Sequence, residues 1–395
     1  MTARYSSLQA FVRSFRWRLP PEKANANKPV VILLHGLGGD ADDWTSPFQE
    51  RNWPYDHENK PVMRDFGMHS RPPVFQFPSL RKRDHLSPRL RGNQRGVSGS
   101  DDRSWWHALS MAGFPILTYS QVGALMLPFD KGPVAQFKEF MRMVQRDVLG
   151  DSAYRERQLV IVGHSRGGLI ARAFLGDAEV KEGAGIGFPR VNGLVTISSP
   201  HEGSHMALVD NKVIELLSSI QKVVPELPED VGNRVLERLK AKIDDYVGAH
   251  GDEIEPGSAL FQALEAQEPI CQGVRCISVG GTSPRLMRVY LWAYTLSSLV
   301  PKLTEGLSIR FHWRAKAVEA KGASPIPDGL PLELFGVEVD EILPGRGDGL
   351  TADKRCRFPA WFDAEEHLSV PVSHAEELWS AGLQEEIVKR LDKFQ

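Results

Sequence analysis

The sequence predicts an α/β fold with a mostly parallel, doubly wound sheet. Three observations predict it. Short continuous apolar runs recur along the chain, glycine or proline stops each one, and segments of helical periodicity lie between them. Val30–Leu34 is the first run, β-branched at its start and ending at His35-Gly36. Ala112–Tyr119 reads as a further strand, and Val134–Leu149 as a helix. Gln158–Val162 ends at Gly163-His164 and leads into a second helix over Gly167–Leu175. Val191–Ser198 stops at Ser199-Pro200, and Val274–Val279 stops at Gly280-Gly281. Strand, helix and strand in alternation are the pattern of parallel strands joined by crossover helices. Residues 375–394 close the chain as a helix with apolar Leu378, Leu383, Ile387, Val388 and Leu391.

One enlarged domain over residues 1–395 accommodates these elements, with three inserted segments. Residues 46–104 hold seven prolines and a basic stretch, Arg81–Arg95, which reads as a solvated loop or a phosphate-binding one. Residues 203–268 carry amphipathic helical patterns, among them Val213, Ile214, Leu216, Leu217 and Ile220. Residues 284–330 open with an apolar helix candidate, Leu286–Val300. Both later insertions suit a cap or lid over an apolar pocket, or packing against the core.

Composition narrows the function classes. The chain has 395 residues, 42% hydrophobic and 25% charged, with 48 Lys+Arg against 50 Asp+Glu. That is globular usage, and a net charge of −2 supplies no field toward nucleic acid or anionic membrane. Cys271, Cys276 and Cys356 are too few for a disulfide scaffold and fit reduced thiols. No N-terminal apolar stretch reads as a secretory signal, and Val289–Val300 is shorter than the roughly 20 residues of a membrane span. A soluble cytoplasmic protein is expected.

Gly163-His164-Ser165-Arg166-Gly167 satisfies G-x-S-x-G between a strand and a helix, the setting a nucleophile elbow requires. Small residues two before and two after the serine avoid clashes in a sharp turn, and the following helix aims its N-terminal amides at the site. A serine needs an oxyanion hole, a base and an acid. His35-Gly36-Leu37-Gly38-Gly39 follows the first strand. Its glycines would let the Leu37 amide face a carbonyl oxygen, with the Arg166 amide as second donor and His35 as a positioning residue.

These segments, with Thr196-Ile197-Ser198-Ser199-Pro200-His201-Glu202-Gly203-Ser204, resemble the lipase/esterase branch of the α/β-hydrolase superfamily. The resemblance covers residues 29–47, 112–205, 272–284 and 335–394 and omits the insertions. It implies an α/β-hydrolase fold with helical cap or lid insertions and a triad in the order Ser, acid, His. Asp348, in Gly345-Arg346-Gly347-Asp348-Gly349-Leu350-Thr351 after the apolar stretch 334–343, resembles the family's acid loop. Asp353 and Glu341 are its rivals. His374, just before the last helix, matches the family's base, and His367 competes. Asp348 would then hold Nδ1 of His374, leaving Nε2 to take the Ser165 proton. The implied function is serine carboxylic-ester hydrolysis through an acyl-enzyme, needing no cofactor and no metal. The expected substrate is a small-molecule or lipid ester with an apolar acyl chain, with transient contact at a lipid surface.

Other readings stay beside this one. An acyltransferase or thioesterase would reuse the same triad. A non-enzymatic binding protein on this fold would ordinarily lack part of it. His201-Glu202-Gly203-Ser204-His205 matches H-E-x-x-H, but Gly203 weakens a helix there, and Leu208 and Asn211 stand where the extended zinc motif needs glycine and histidine. A distant Glu226 or Glu229 would have to serve as third ligand. Asp40, Asp42 and Asp43 imitate part of a calcium loop without its later glycine and glutamate, so Asp42 reads as a helix cap. Trp105-Trp106 reads as core or pocket wall.

Overall fold

A computed structural model describes residues 13–18, 27–37, 39–45, 104–121, 123, 125–150, 154–205, 251–267, 273–283, 287–291, 307–311, 333–334, 337–338, 340–342, 345–359, 362, 364–374 and 376–394. Its centre is a seven-stranded sheet formed by β1 (Arg13–Arg18), β2 (Val30–Leu34), β3 (Ile116–Ser120), β4 (Leu159–His164), β5 (Val191–Ile197), β6 (Arg275–Gly281) and β11 (Ala364–Val370). The order is β1-β3-β2-β4-β5-β6-β11. β1 runs antiparallel on β3, and the six strands from β3 to β11 are all parallel. β2, β3 and β4 are buried at every position, as suits predominantly apolar runs when both faces are covered.

Two apolar cores flank the sheet. Val30, Ile32 and Leu34 point into one, and Val31 and Leu33 into the other, the two-residue period of a strand. The first core takes helix α3 (Gly132–Met143) through Val134, Phe137, Phe140 and Met141, helix α4 (Arg166–Gly176), buried along its whole length, and Val180 of the short α5 (Ala178–Gly183). The second takes Trp44 of a short turn, α1 (Asp42–Thr45), and helices α2 (Trp105–Met111) and α8 (Ala381–Leu391). Ser104 caps α2 by accepting from the His107 amide, which starts that helix at the end of the expected first insertion. Ser380 caps α8, and Arg390 binds Glu366 of β11 at 2.7 Å, tying the last helix to the last strand.

The α/β reading of the sequence agrees with this sheet, and four details differ. Residues 287–291 of the expected helix Leu286–Val300 form strand β7 (Met287–Leu291), antiparallel to β8 (Leu307–Phe311), as β9 (Glu333–Leu334) is to β10 (Val337–Glu338). A short apolar run does not distinguish helix from strand, and Val289 and Tyr290 favour the strand once a partner pairs with them. Gly113 adopts φ 83° after α2, so the strand expected from Ala112 starts only at Ile116. The final helix is broken into a 3₁₀ turn (Glu376–Leu378) and α8, with the Ser380 cap between them. Strands β1 and β11 were not expected; both are rich in charged residues, Arg-Ser-Phe-Arg-Trp-Arg and Ala-Glu-Glu-His-Leu-Ser-Val, as suits the edges of a sheet.

The insertion 46–103, with Arg81–Arg95, lies outside the described residues, as does Cys271. Within the expected insertion 203–268, α6 (Gly251–Ile254) and α7 (Ala259–Glu265) are described. Leu260, Phe261 and Leu264 of α7 join the core that holds α4, so this end of the segment is packed against the main body. No helix among the described residues is long and apolar enough to cross a membrane.

Candidate active site

Ser165 stands between β4 and α4 with φ 53° and ψ −126°, a conformation that non-glycine residues rarely adopt. Holding it costs on the order of 1–3 kcal/mol, the kind of strain that persists where the surrounding structure enforces it. The enforcement is visible in the flanking glycines. A Cβ on Gly163 would lie 2.5 Å from the Gly168 amide nitrogen, and one on Gly167 would lie 2.3 Å from the Leu34 carbonyl oxygen. The Ser165 amide donates to the Ile197 carbonyl at 2.8 Å, which fastens the turn to the end of β5. Its side chain does not cap α4, although it occupies the cap position.

Asp348 and His374 meet beyond β6 and β11. Asp348 Oδ2 is 2.7 Å from His374 Nδ1, and both side chains are buried. Asp348 Oδ1 accepts the amides of Leu350 at 2.8 Å and Thr351 at 2.6 Å, and the His374 amide donates to the Asp348 carbonyl at 3.1 Å. The carboxylate is thus held by its own loop and accepts the Nδ1 proton. His374 Nε2 is left as a buried ring nitrogen without a hydrogen-bond partner among the described residues. Such a nitrogen carries a lone pair.

The glycine-rich loop after β2 is organised by His35. Its Nε2 accepts the Gln121 amide at 2.8 Å, so Nδ1 carries the proton and donates to the Gly36 carbonyl at 2.8 Å. Burial is the main cause that lowers its pKa to about 4, which keeps the ring neutral. Gln121 Nε2 also reaches the His35 carbonyl at 3.4 Å. Arg166 is buried, and its Nη1 donates to the Gly123 carbonyl at 3.0 Å, so the segment after β3 touches both the glycine loop and the elbow.

The rival residues are spent elsewhere. His367 binds Asp353 Oδ1 through Nε2 at 3.0 Å and Ser278 Oγ through Nδ1 at 2.8 Å. Glu341 accepts the His205 amide at 2.8 Å, with burial the main cause that raises its pKa. The H-E-x-x-H segment is a turn with Gly203 at φ 85°, so its histidines do not share a helical face. His201 bonds Thr196 Oγ1 at 2.9 Å and stacks on Phe358, while His205 lies 3.3 Å from Arg355. Asp43 accepts the Asp40 amide at 3.1 Å in the turn before Trp44, and Asp42 is the first residue of α1. Among the described residues, His164, His374 and Glu377 form a group of potential metal ligands within 4.8 Å of one another, all buried.

Sequence reasoning placed His164 in a supporting role and missed Glu377 and Ser198. His164 Nε2 lies 3.1 Å from the His374 carbonyl, with the two rings 4.7 Å apart, and Glu377 Oε2 is 3.2 Å from the same nitrogen. Ser198, at φ 45°, donates to Glu377 Oε1. Ser198 falls within the segment that carries the family resemblance; Glu377 follows His374 by three residues in what reads as plain helix.

Residues 135–283 match the family model described as PGAP1-like alpha/beta domain. No curated protein matches the chain. Solved structures similar to it include a Bacillus licheniformis lipase in mature form, at 12% identity and TM-score 0.40 over 96% of this chain and 97% of that one. A soluble variant of a Saccharomyces cerevisiae monoglyceride lipase in complex with a substrate analogue is 9% identical at TM-score 0.40, covering 98% and 97%. Esterase B from Lactobacillus rhamnosis, inhibited by a tributyrin phosphonate, is 14% identical at TM-score 0.29, covering 71% and 69%. Likeness this shallow carries no function from those proteins to this one. Six parallel strands in this order, with a strained serine at the turn from β4 into α4 inside the matched segment, give the chain an α/β-hydrolase fold.

Proposed function

We propose that the protein is a serine carboxylic-ester hydrolase of lipase or esterase type. The observation that carries this reading is the Asp348–His374 pair, whose Nε2 is open, beside the strand that ends in His164 and leads into Ser165. In the reaction, Nε2 of His374 takes the proton as the Ser165 hydroxyl attacks an ester carbonyl. Asp348 stabilises the imidazolium and fixes its tautomer. The Leu37 and Arg166 amides hold the oxyanion, and one such donor is worth about 2.7–4 kcal/mol in enzymes of this kind. The alcohol leaves with the proton from His374. Water, deprotonated by the same histidine, then attacks the acyl-enzyme and releases the acid.

The apolar segments within 203–268 and 284–330 would shelter an acyl chain, which favours an apolar acyl ester and contact with a lipid surface. The buried thiol of Cys356 suits a reducing cytoplasm. Wild type should hydrolyse p-nitrophenyl esters of increasing acyl length and react with a fluorophosphonate at Ser165. Ser165→Ala should lose both. Turnover that survives Ser165→Ala, or a wild type that neither turns over nor labels, would sink the proposal.

A further inference from the structure

Glu377 is a buried carboxyl that the proposed reaction does not consume. It sits on the 3₁₀ turn Glu376–Leu378, its amide 3.2 Å from the Ser373 carbonyl and its own carbonyl accepting Trp105 Nε1 at 2.9 Å. Oε1 accepts from Ser198 Oγ, which in turn accepts the Gly281 amide at 3.2 Å. Oε2 lies 3.2 Å from His164 Nε2, the nitrogen that is 3.1 Å from the His374 carbonyl. A Cβ on Gly281 would stand 2.6 Å from both Asp348 Cβ and Glu377 Oε1, so the two acids share one bare glycine face.

Burying a carboxyl is unfavourable unless its bonds are made; Oε1 has the bond from Ser198 beyond β5, while Oε2 has no hydrogen bond among the described residues and faces His164 at the end of β4. We propose that Glu377 is a positioning residue: anchored on Ser198 and bridged by His164, it fixes the main chain of His374 relative to the strand that presents Ser165. The proposal rests on the reading of Ser165 and His374 as nucleophile and base. Burial, and then the charge of Asp348, push the Glu377 carboxyl well above the ordinary range. The same burial disfavours a second negative charge beside Asp348. Glutamine has the same shape and no charge and would keep the contacts; leucine would fill the space and lose them.

Steady-state kinetics on a p-nitrophenyl ester test this. Misplacement of a catalytic group by about 1 Å costs up to about a hundredfold. Glu377→Leu should accordingly lower kcat about tenfold to a hundredfold with KM within about twofold, and Glu377→Gln should bring kcat back to within about threefold of wild type. Glu377→Leu at wild-type kcat, or Glu377→Gln as poor as leucine, overturns the proposal. Should the leucine variant not fold, Ser198→Ala carries the test, with kcat expected to fall about threefold to tenfold at unchanged KM; wild-type kcat there overturns it equally. If wild type is inactive and unlabelled by fluorophosphonate, this proposal falls with the esterase reading. If wild type is active and labelled while Glu377→Leu and Ser198→Ala turn over normally, only this one falls.

Discussion

Two aspartate–histidine pairs lie in the C-terminal part of the chain, and the contrast between them separates a poised imidazole from a spent one. Asp348 and His374 are 2.7 Å apart and buried, with the aspartate held by two loop amides and one imidazole nitrogen left open. Asp353 and His367 are 3.0 Å apart, and Ser278 occupies the other nitrogen of His367, while Ser369 donates to the remaining Asp353 oxygen at 3.0 Å. Residue types and separations are similar in the two. What differs is vacancy: the proposed general base needs a ring nitrogen not committed to another hydrogen bond, and of these two pairs the first keeps one.

The widest separation between the pairs is expected in turnover. His374→Ala should reduce kcat by about four to six orders of magnitude, the scale seen when a triad histidine is removed. His367→Ala should leave kcat within about threefold and lower the stability of the fold instead, through the lost bonds to Ser278 and Asp353. Side-by-side kinetics and urea unfolding decide the matter. Equal losses of activity from both substitutions would erase the distinction.

Next in size are the acids. Asp348→Asn keeps the shape but removes the acceptor that selects the His374 tautomer, and the loss in kcat should approach about 10⁴-fold. Asp353→Asn should cost about 1 kcal/mol of stability, through a weaker bond to His367, with activity near wild type. A wild-type kcat in Asp348→Asn would remove the carboxylate from the mechanism.

The sequence exposes this contrast only in part. Gly163, Gly167 and Ser165 are legible because the elbow imposes local sterics: each small residue answers a backbone atom a few ångströms away, and that requirement is written in adjacent positions. The buried strands are legible for a similar reason, since a run covered on both faces is predominantly apolar. Asp348 over Asp353, and His374 over His367, rest on resemblance, because which nitrogen stays open depends on Ser278, more than eighty residues from His367 in the chain. Glu377 was hidden by its place in an amphipathic stretch, where a glutamate reads as solvent-facing. The Leu286–Val300 segment misled in the opposite way, as the strand Met287–Leu291 depends on pairing with Leu307–Phe311, which its own periodicity does not encode.

His35 extends the contrast to a third histidine, and to the smallest expected effect. Both its nitrogens are committed, to the Gln121 amide and the Gly36 carbonyl, so like His367 it has no lone pair to spare. Burial holds its folded pKa at about 4 against an ordinary 6.5. Above pH 6.5 it is neutral whether the chain is folded or not. As pH falls below 6.5 the unfolded chain takes up a proton that the folded one refuses, so stability declines until about pH 4, by about 3 kcal/mol in all. His164 and His201, also lowered mainly by burial, act in the same sense. Glu377 and Glu341 act in the opposite one, because their raised folded pKa values give stability at low pH that is lost as pH rises. His35→Gln removes one histidine from this balance. Urea midpoints at pH 7.5 and pH 5.0 should show the variant losing about 2 kcal/mol less than wild type on acidification. Equal losses would mean that His35 takes up its proton in the folded state, and that its bond to the Gln121 amide gives way to do so.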